Sequence, residues 1–515
     1  MQNVSRLHST GTLPLSSEMM AALKHIESTF PVLDWQAAGV RLWPLLRIRW
    51  MFVEWARHYT GVDTGPAVGM DLRQRLRQLI CGPAQARRAY RADSHARNQE
   101  SPQCDIVFLS DGVSFARLGE HWVERFCDPI LAHAEQRGMR CAMWTPTHLH
   151  RRPRHTPSRF IQPALDRANV IGAVKARLLP DAAHLPGHAQ VTAWLQAQGY
   201  GASPLAVAKI RSDAGRLQSI AHHYSRQLRR ARPRMAFVVS FYGIEGMAFV
   251  LACRRSGVPV VDIQHGVQGE MHPAYAAWPA PPQGTSHTLL PDRFWVWSAW
   301  ERDVIDRWAR GTDHAVVVGG NPWMDVWQRG SRWPGVASAL GAAHALRQRA
   351  GGRPVVLVTL QYGLADAEQL TPLAALLREA GDRLAFWVRL HPVMLQERKA
   401  IRALLDAAGR CELDEPTDLP LQALLPCVDV HLTHSSSVVI EAAQFGLRSA
   451  LTTAYGAELF GPLLASGIAL LETGDAPTLA STLAGLAAAG IRQADAAPSV
   501  GAALDSLLAR TPLTT

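Results

Sequence analysis

Short apolar runs alternate with amphipathic stretches along most of the chain after residue 100. Each run is about as long as a buried strand and ends at a small, polar or proline residue, which is typical of strands in parallel sheets. The predicted strands are Ile106–Leu109, Cys141–Trp144, Met235–Ser240, Val258–Ile263, Phe294–Trp297, Ala315–Val318, Pro354–Leu360, Leu384–Leu390, Val428–Leu432 and a strand around Ala450. Helical periodicity predicts helices over Ala367–Glu379, Glu397–Ala408 and Val438–Phe445. The alternation favours βαβ units and an α/β fold.

The pattern weakens between Trp323 and Arg353, where glycine and arginine are frequent, and resumes with Pro354–Leu360. The sequence therefore predicts two Rossmann-like parallel-sheet domains joined near residue 330, with the carboxyl ends of their strands facing one cleft. We expect an N-terminal helical extension over residues 1–100, a first Rossmann-like domain over 101–330, a second over 331–475, and C-terminal helices over 476–515. Apolar residues and arginines alternate within Trp35–Arg57. This favours either an amphipathic helix at a membrane interface or a helix packed on the next domain.

Composition narrows the class of protein. The chain has 515 residues, 48% of them hydrophobic and 19% charged, as expected for a packed protein of at least two domains. Its formal charge of +10 favours an acidic partner such as a nucleotide, an anionic lipid or a polyanionic glycan. The seven cysteines are scattered and never spaced as CxxC, and residues 1–18 contain no apolar core of a signal peptide. We therefore expect a cytoplasmic protein.

The strongest candidate for chemistry follows the strand Val428–Leu432. A turn of small hydroxyl residues that opens a helix presents backbone N–H groups, which is typical of a phosphate site. The residues of this turn are His434, Ser435, Ser436 and Ser437. Glu441 lies one turn later, where its carboxylate could accept hydrogen bonds from sugar hydroxyls. Arg389 and His391, followed by Pro392, come at the end of another predicted strand, and we expect them to face the same phosphate.

The first predicted domain offers groups for proton transfer. Glu245 follows a strand and lies between Gly243 and Gly246, so that the loop can approach a ligand and burial can raise the pKa of the carboxyl. The alternative is that Glu245 caps the helix that begins at Met247. His265, with Gln264 before it, could contact a sugar or acceptor, or could be satisfied by the backbone. Asp111 is an alternative base, although Ser-Asp-Gly is also an ordinary turn.

Several classes of enzyme lack support. No Gly-x-Gly-x-x-Gly follows the early strands, and no GxxxxGK[ST] occurs, which argues against classical dinucleotide enzymes and P-loop ATPases. No DxD triplet of the kind that holds Mg²⁺ with a nucleotide-sugar is present. Histidine, serine hydroxyls and N–H groups could carry a leaving group's charge, so we expect neither a metal nor a cofactor.

Three stretches together resemble the GT-B glycosyltransferases of bacterial surface-polysaccharide synthesis that share an HP motif and an SS motif. They are Val260–Val267, Leu390–Pro392, and Thr433–Ser437 with Glu441. These enzymes include sialyl- and polysialyltransferases, capsule and O-antigen Kdo transferases and, more distantly, CDP-glycerol-using teichoic acid polymerases. The resemblance implies a GT-B fold and metal-independent transfer from a nucleotide donor, often CMP-linked.

The resemblance also implies roles for single residues. His391 and the serines would hold the donor phosphate, and Glu441 the ribose. Glu245 falls where retaining Kdo transferases place an acid/base glutamate. The nucleophile of those enzymes corresponds to Gln361 in the loop Thr359–Gly363, and an amide is a poor nucleophile. Either the enzyme inverts with Glu245 as base, or the loop is wrongly matched.

The sequence therefore predicts a glycosyltransferase that moves a sugar from a nucleotide-activated donor, such as CMP-Kdo or CMP-sialic acid, to a glycan or glycolipid in capsule or lipopolysaccharide synthesis. Peripheral contact with the inner membrane is a further expectation, and no nucleic-acid partner is expected. Two alternatives stay open. One is a sugar-nucleotide epimerase of the same fold, and the other is a non-enzymatic nucleic-acid or membrane-surface binding protein that uses the basic segments Arg73–Arg97 and Arg226–Arg234.

Overall fold

A computed structural model describes residues 16–60, 103–146, 153–178, 183–328, 333–361, 366–490 and 499–509. These residues divide into two compact units. Unit 1 contains the described parts of Met1–Phe115, Val123–Pro322 and Val500–Thr515. Unit 2 contains those of Ala116–Trp122 and Trp323–Ser499.

Unit 1 begins with helices and a short hairpin and continues as alternating strands and helices. Its helices are α1 Ser16–Thr29, α2 Trp43–Thr60, α3 Cys127–Glu135, α4 Gln162–Leu178, α5 His188–Ala197, α6 Val207–Ala231, α7 Ile244–Arg255 and α8 Ala299–Ala309. Its strands are β1 Gln36–Ala37, β2 Val40–Arg41, β3 Ile106–Leu109, β4 Phe115–Leu118, β5 His121–Glu124, β6 Cys141–Thr145, β7 Ser158–Phe160, β8 Met235–Val239, β9 Val260–Ile263, β10 Arg293–Val296 and β11 Ala315–Val318. The tip of the β4–β5 hairpin groups with unit 2.

The main sheet of unit 1 has seven parallel strands in the order β11-β10-β9-β8-β3-β6-β7. β3, β8 and β9 are buried at every position, as expected for strands covered on both faces by helices. Helix α2 belongs to this packing. Arg47 is fully buried, donates to the carbonyl oxygen of Ala276 at 2.7 Å and lies 3.4 Å from Glu27. The packed-helix alternative for Trp35–Arg57 is therefore the one that the structure supports.

Unit 2 repeats the alternation with a smaller sheet. Its helices are α9 Pro322–Gln328, α10 Val336–Gln348, α11 Asp366–Ala380, α12 Arg398–Asp406, α13 Asp414–Asp418, α14 Leu421–Leu424, α15 Val438–Gln444, α16 Ala454–Leu459, α17 Gly461–Ala465 and α18 Ala476–Ala488. Its strands are β12 Val355–Thr359, β13 Ala385–Arg389, β14 Val430–Thr433, β15 Arg448–Leu451 and β16 Ala469–Leu471, all parallel in the order β13-β12-β14-β15-β16.

The predicted fold class, an α/β chain with two Rossmann-like parallel-sheet domains, is confirmed by these two sheets. The division falls after Pro322 rather than near residue 330. The last described helix, α19 Val500–Ala509, belongs to unit 1, where Asp505 pairs with Arg137 on the turn after α3. The predicted group of C-terminal helices is thus divided between the units, with α18 in unit 2. Among the described helices, none combines the length and the apolar character that crossing a bilayer requires.

Candidate functional site

In each main sheet the strand order reverses once: successive strands are first added on one side of the first strand and then on its other side. In unit 1 the chain passes from β3 to β6 and β7 and then returns to β8 on the other side of β3. In unit 2 it passes from β12 to β13 and returns to β14 on the other side of β12. Open α/β sheets bind ligands beyond the carboxyl ends of the strands at such a reversal. The predicted residues Asp111, Gln361 and the serine turn directly follow these strands.

The serine loop, residues His434–Ser437, connects β14 to α15. Ser436 donates its N–H to Oγ1 of Thr433 at 3.3 Å, and Val438 donates its N–H to Oγ of Ser436 at 3.3 Å. The N–H groups of Ser435 and Ser437 have no partner among the described residues. All three serines are half-buried. Because α15 has only seven residues, an anion here would meet mainly the N–H and hydroxyl donors of the loop itself.

A close contact with α16 supports the serine loop from behind. Oγ1 of Thr453 donates to the carbonyl oxygen of His434 at 2.9 Å and accepts the N–H of Gly456 at 3.1 Å. A Cβ atom at Gly456 would lie 2.1 Å from the carbonyl oxygen of His434, so only glycine permits this approach. Neither residue belongs to a motif that the sequence predicts to be functional. The available signal was a threonine at a helix start followed by glycine three positions later.

His391 caps the 3₁₀ turn Pro392–Glu397 that follows β13. Its Nδ1 accepts the N–H of Val393 at 3.3 Å, which leaves the proton of a neutral ring on Nε2. Burial lowers the pKa of His391, so the ring is a neutral N–H donor near neutral pH. β12 separates β13 from β14, so the His391 turn and the serine loop are about two strand spacings, roughly 10 Å, apart.

Arg389 is held by the main chain of its own unit. Its Nη1 donates to the carbonyl oxygens of Pro416 and Leu419, 27 and 30 residues further along the chain. The guanidinium therefore braces the segment around α13 against the end of β13. Sequence spacing could not reveal acceptors so distant along the chain, and the expected contact of Arg389 with a phosphate stays a prediction.

Glu441 lies at the end of a chain of side-chain hydrogen bonds. Its Oε1 accepts from Nε2 of Gln422 at 2.7 Å, and Oε1 of Gln422 accepts from Nε1 of Trp323 at 2.7 Å. Gln422 and Trp323 are buried, so they fix the orientation of the carboxylate. The hydrogen bonds are compatible with the predicted contact to a ribose, which stays a prediction.

The loop after β12 is described only as far as Gln361. The main-chain N–H of Gln361 donates to Oε1 of the buried Gln369 at 3.0 Å, and its carbonyl oxygen accepts from Nε2 of Gln369 at 2.7 Å. Residues 362–365 lie outside the described residues. The match of Gln361 to a nucleophile position therefore stays a prediction.

A buried histidine ties together the three central strands of unit 2. Nε2 of His431 lies 2.9 Å from Oγ1 of Thr359 on β12, and Nδ1 lies 2.9 Å from Oγ of Ser449 on β15. Burial lowers the pKa of His431 to about 3, so the ring is neutral. Because β14 leads into the serine loop, this link fixes the strand from which the loop departs. Its only sequence signal was a histidine within the apolar run Val430–Leu432.

Glu245 lies in the first turn of α7, which begins at Ile244 rather than at Met247. Its Oε1 accepts from Nε2 of Gln162 on α4 at 3.4 Å. Burial raises the pKa of this half-buried carboxyl, as a general acid or base requires. The position in a first turn also satisfies the helix-start interpretation, so the geometry accommodates both.

Asp111 closes the turn that follows β3. Its Oδ1 accepts the N–H groups of Val113 and Ser114 at 2.8 and 2.9 Å, and its Oδ2 accepts the hydroxyl of Ser114 at 2.6 Å. Three local donors therefore occupy the carboxylate. These bonds are those of the ordinary turn, and the alternative role of Asp111 as a base stays a prediction.

His265 belongs to an aromatic cluster that the sequence analysis did not detect. Its Nε2 lies 2.8 Å from Oη of Tyr242, and the two rings stack with centroids 5.5 Å apart. His272 and Phe52 complete the cluster, with ring centroids 5.3 and 5.8 Å from that of Tyr242. Burial lowers the pKa of His265, an effect that the charge of Asp111 opposes. Phe52 is 40% exposed, so α2 presents an aromatic face at the edge of this cluster.

Gln264 lies in the interior instead of contacting an acceptor. Its Nε2 donates to the carbonyl oxygen of Gly266 and to Oε1 of Glu301, both at 2.9 Å, and its Oε1 accepts the N–H of Trp297 at 2.6 Å. The side chain is fully buried. These bonds join the end of β9 to the start of α8, and they correct the expected contact between Gln264 and a ligand.

Comparison with known proteins does not identify a family for this chain. No family model matches the chain, and no curated protein matches it. Among solved structures, a UDP-GlcNAc 2-epimerase from Neisseria meningitidis bound to UDP-GlcNAc shares 16% identity, with 78% of this chain and 98% of that chain covered and a TM-score of 0.48. A Methanocaldococcus jannaschii UDP-GlcNAc 2-epimerase in complex with UDP-GlcNAc and UDP shares 11% identity, with 78% of this chain and 99% of that chain covered and a TM-score of 0.45. MurG from Acinetobacter baumannii shares 13% identity, with 79% of this chain and 99% of that chain covered and a TM-score of 0.41. At such identities and scores the likeness does not extend to a substrate.

Proposed function

We propose that this chain is a glycosyltransferase that uses a nucleotide-activated sugar, with a CMP-linked ulosonic acid such as Kdo or sialic acid as the favoured donor. The acceptor is a glycan or glycolipid of capsule or lipopolysaccharide assembly. The observation that carries the proposal is the serine loop, because its N–H and hydroxyl donors stand at the strand reversal of unit 2.

Donor binding is assigned to unit 2. The serine loop takes the phosphate of the donor through the N–H groups of Ser435 and Ser437 and the hydroxyl groups beside them. His391 donates from Nε2 across the end of β12. The spacing of roughly 10 Å between the two loops suits a ligand longer than one phosphate, such as a nucleoside monophosphate joined to a sugar. Glu441, oriented by Gln422, accepts hydrogen bonds from the ribose.

The reaction is a single displacement. The acceptor hydroxyl attacks the anomeric carbon of the sugar, the bond from that carbon to the phosphate oxygen breaks, and its electron pair leaves with the nucleotide. Glu245 takes the proton of the acceptor hydroxyl, for which a raised pKa is suited. The proposal excludes a covalent intermediate at Gln361, because an amide is a poor nucleophile. It also predicts turnover in the presence of EDTA, since N–H, hydroxyl and imidazole donors carry the leaving-group charge.

Nucleotide binding tests the proposal first. We expect CMP, CDP or UDP to raise the melting temperature of the intact protein. Ser436→Ala and His391→Ala should each weaken that binding roughly 10- to 100-fold, the equivalent of one hydrogen bond to a charged group. Ser481→Ala and His344→Ala alter exposed residues of the same types in α18 and α10, and they should leave binding unchanged. Protection by none of these nucleotides would reject the proposal.

Turnover assays then separate the roles. Glu245→Gln should keep nucleotide affinity and lose activity, because the amide cannot take a proton. The epimerase alternative is distinguished by dependence on the acceptor. An epimerase converts its nucleotide-sugar without any acceptor, whereas the proposed transferase releases nucleotide at a useful rate only when the acceptor is present.

A further inference from the structure

Helices α4 and α6 of unit 1 carry most of the chain's excess positive charge. Together they contain nine lysines and arginines and two aspartates, a formal +7 within a chain whose total is +10. One of the aspartates, Asp213, is buried and paired with Arg49. Asp166 is therefore the one acidic side chain that these two helices expose.

The two helices share one surface because glycines bring their backbones together. A Cβ atom at Gly172 of α4 would lie 2.4 Å from the carbonyl oxygen of Gly215 of α6, and a Cβ atom at Gly215 would lie 2.5 Å from that of Gly172. The positive potential at this surface acts on His223 of α6. Burial lowers the pKa of His223, and nearby Arg159 and Arg226 lower it further.

An apolar stripe lies among these charges. Val170, Ile171 and Val174 of α4 are 46%, 39% and 47% exposed, and their spacing places them on one face of the helix. Arg167 precedes the stripe and Lys175 follows it, and both are exposed. Exposed aliphatic side chains flanked by cations are typical of helices that lie in the interface of an anionic membrane.

A cavity of about 410 Å³ lies beside Lys175, the cation that follows the stripe on α4. Its polar lining comes from Lys175, Arg211, Gln218, Ser219 and His222, and the turn between β1 and β2 closes one side. Lys175 and Arg211 have no ion-pair partner among the described residues. The cavity is large enough for a phosphate-bearing group, and the positive charges of Lys175 and Arg211 would balance the negative charge of the phosphate.

We propose that the face formed by α4 and α6 binds an anionic phospholipid surface, with Val170, Ile171 and Val174 entering the interface and the adjoining cavity receiving a lipid headgroup. This inference goes beyond the proposed function and would stand if the nucleotide assignment fell. It places the membrane contact on these helices and not on α2, where Arg47, Trp43 and Trp50 are buried inside unit 1.

A lipid surface fits this face better than a nucleic acid. Proteins that bind single-stranded nucleic acids interleave cations with aromatic rings on which bases stack, and α4 has no aromatic residue. Three exposed aliphatic side chains would contribute little to the binding of a nucleic-acid phosphate backbone. In a membrane interface, each of them removes apolar surface from water.

Co-sedimentation with vesicles tests the inference with the full-length protein. Phosphatidylcholine vesicles that contain phosphatidylglycerol should bind the protein at least about tenfold more tightly than vesicles of phosphatidylcholine alone. The double variant Lys175→Glu with Arg211→Glu should lose this preference. Lys399→Glu with Arg410→Glu makes the same change of charge at exposed positions of unit 2 and should keep it. Val170→Ser with Val174→Ser, which leaves every charge in place, should weaken binding severalfold.

Three outcomes would overturn the inference. They are equal binding to both kinds of vesicle, equal loss of binding in the unit 2 control, and unchanged binding when the valines are replaced. Tighter binding of duplex or single-stranded RNA than of anionic vesicles would reassign the surface to nucleic acid. Each variant is first checked for its melting temperature and for protection by CMP. Protection by CMP reports on nucleotide binding, which is proposed for unit 2, whereas vesicle binding reports on α4 and α6 of unit 1. The two proposals can therefore fail independently of each other.

Discussion

Replacement of Gly456 by alanine is a direct probe of how the serine loop is held. The added Cβ would lie 2.1 Å from the carbonyl oxygen of His434, whereas real Cβ atoms essentially never approach within 3.0 Å. To relieve the contact, the loop or α16 must move by about 1 Å, which is enough to break the 2.9 Å hydrogen bond from Thr453. Because the clash is with backbone, no side-chain rotation can absorb it.

The magnitude follows from the kind of contact. Overpacking of a buried contact costs about 1–3 kcal/mol, which for a unit of this size lowers the melting temperature by roughly 2–12 °C. A displaced loop also loses its alignment with the phosphate. At about 1.5–3 kcal/mol for each charged hydrogen bond, we expect nucleotide affinity to fall at least about tenfold.

Gly485→Ala is the matched control. Gly485 lies inside α18 of the same unit, and a Cβ there would meet nothing within 4 Å. Alanine in a helix interior is favoured over glycine by about 1 kcal/mol, so this variant should melt slightly higher than the parent and bind nucleotide equally well. The assays are thermal unfolding and titration calorimetry with CMP. If Gly456→Ala melts and binds like the parent protein, the serine loop is not held as described.

Two further predictions concern pH and have opposite signs. The folded-state pKa of His431, about 3, lies below its unfolded value, so unit 2 should lose about 2 kcal/mol of stability as the pH falls from 7 to 5. His431→Gln keeps a hydrogen-bond partner for Thr359 and should abolish that loss. Chemical unfolding at the two pH values measures the difference. Burial, and then the charge of Asp111, raises the pKa of Glu124 to about 8, so its contribution to unit 1 is present below pH 4.5 and is lost as the pH rises to 8. Glu124→Gln should remove roughly 2 kcal/mol of the loss between pH 5 and 7, and a variant with the parent's pH dependence would contradict the burial of that carboxyl.

Much of the fold could be predicted from local pattern alone. Buried parallel strands are nearly continuous apolar runs, and the run Ile106–Leu109 coincides with the buried strand β3. The apolar run Ala315–Val318 coincides with β11, which is half-buried at the edge of its sheet. Three of the missed elements lack this signature. β4 is Phe-Ala-Arg-Leu and β5 is His-Trp-Val-Glu, so polar residues interrupt or flank each short apolar run, and β7 has only three residues.

The candidate site could be predicted only where its residues are adjacent in sequence. The serine loop is a local motif, and the structure places it after β14 as expected. Arg389 and Gln264 were assigned to ligands because their long-range partners, Leu419 and Glu301, could not be identified from spacing. The contribution of Phe52 was unpredictable for the same reason, since it reaches Tyr242 from a helix 190 residues earlier in the chain.

The most direct test of the account is a crystal structure of the protein with CMP bound. The account predicts phosphate oxygens within hydrogen-bonding distance of the N–H groups of Ser435 and Ser437, with Nε2 of His391 directed at the same nucleotide. A nucleotide whose phosphate lies away from the His434–Ser437 loop, or a loop that stays empty at saturating CMP, would contradict it.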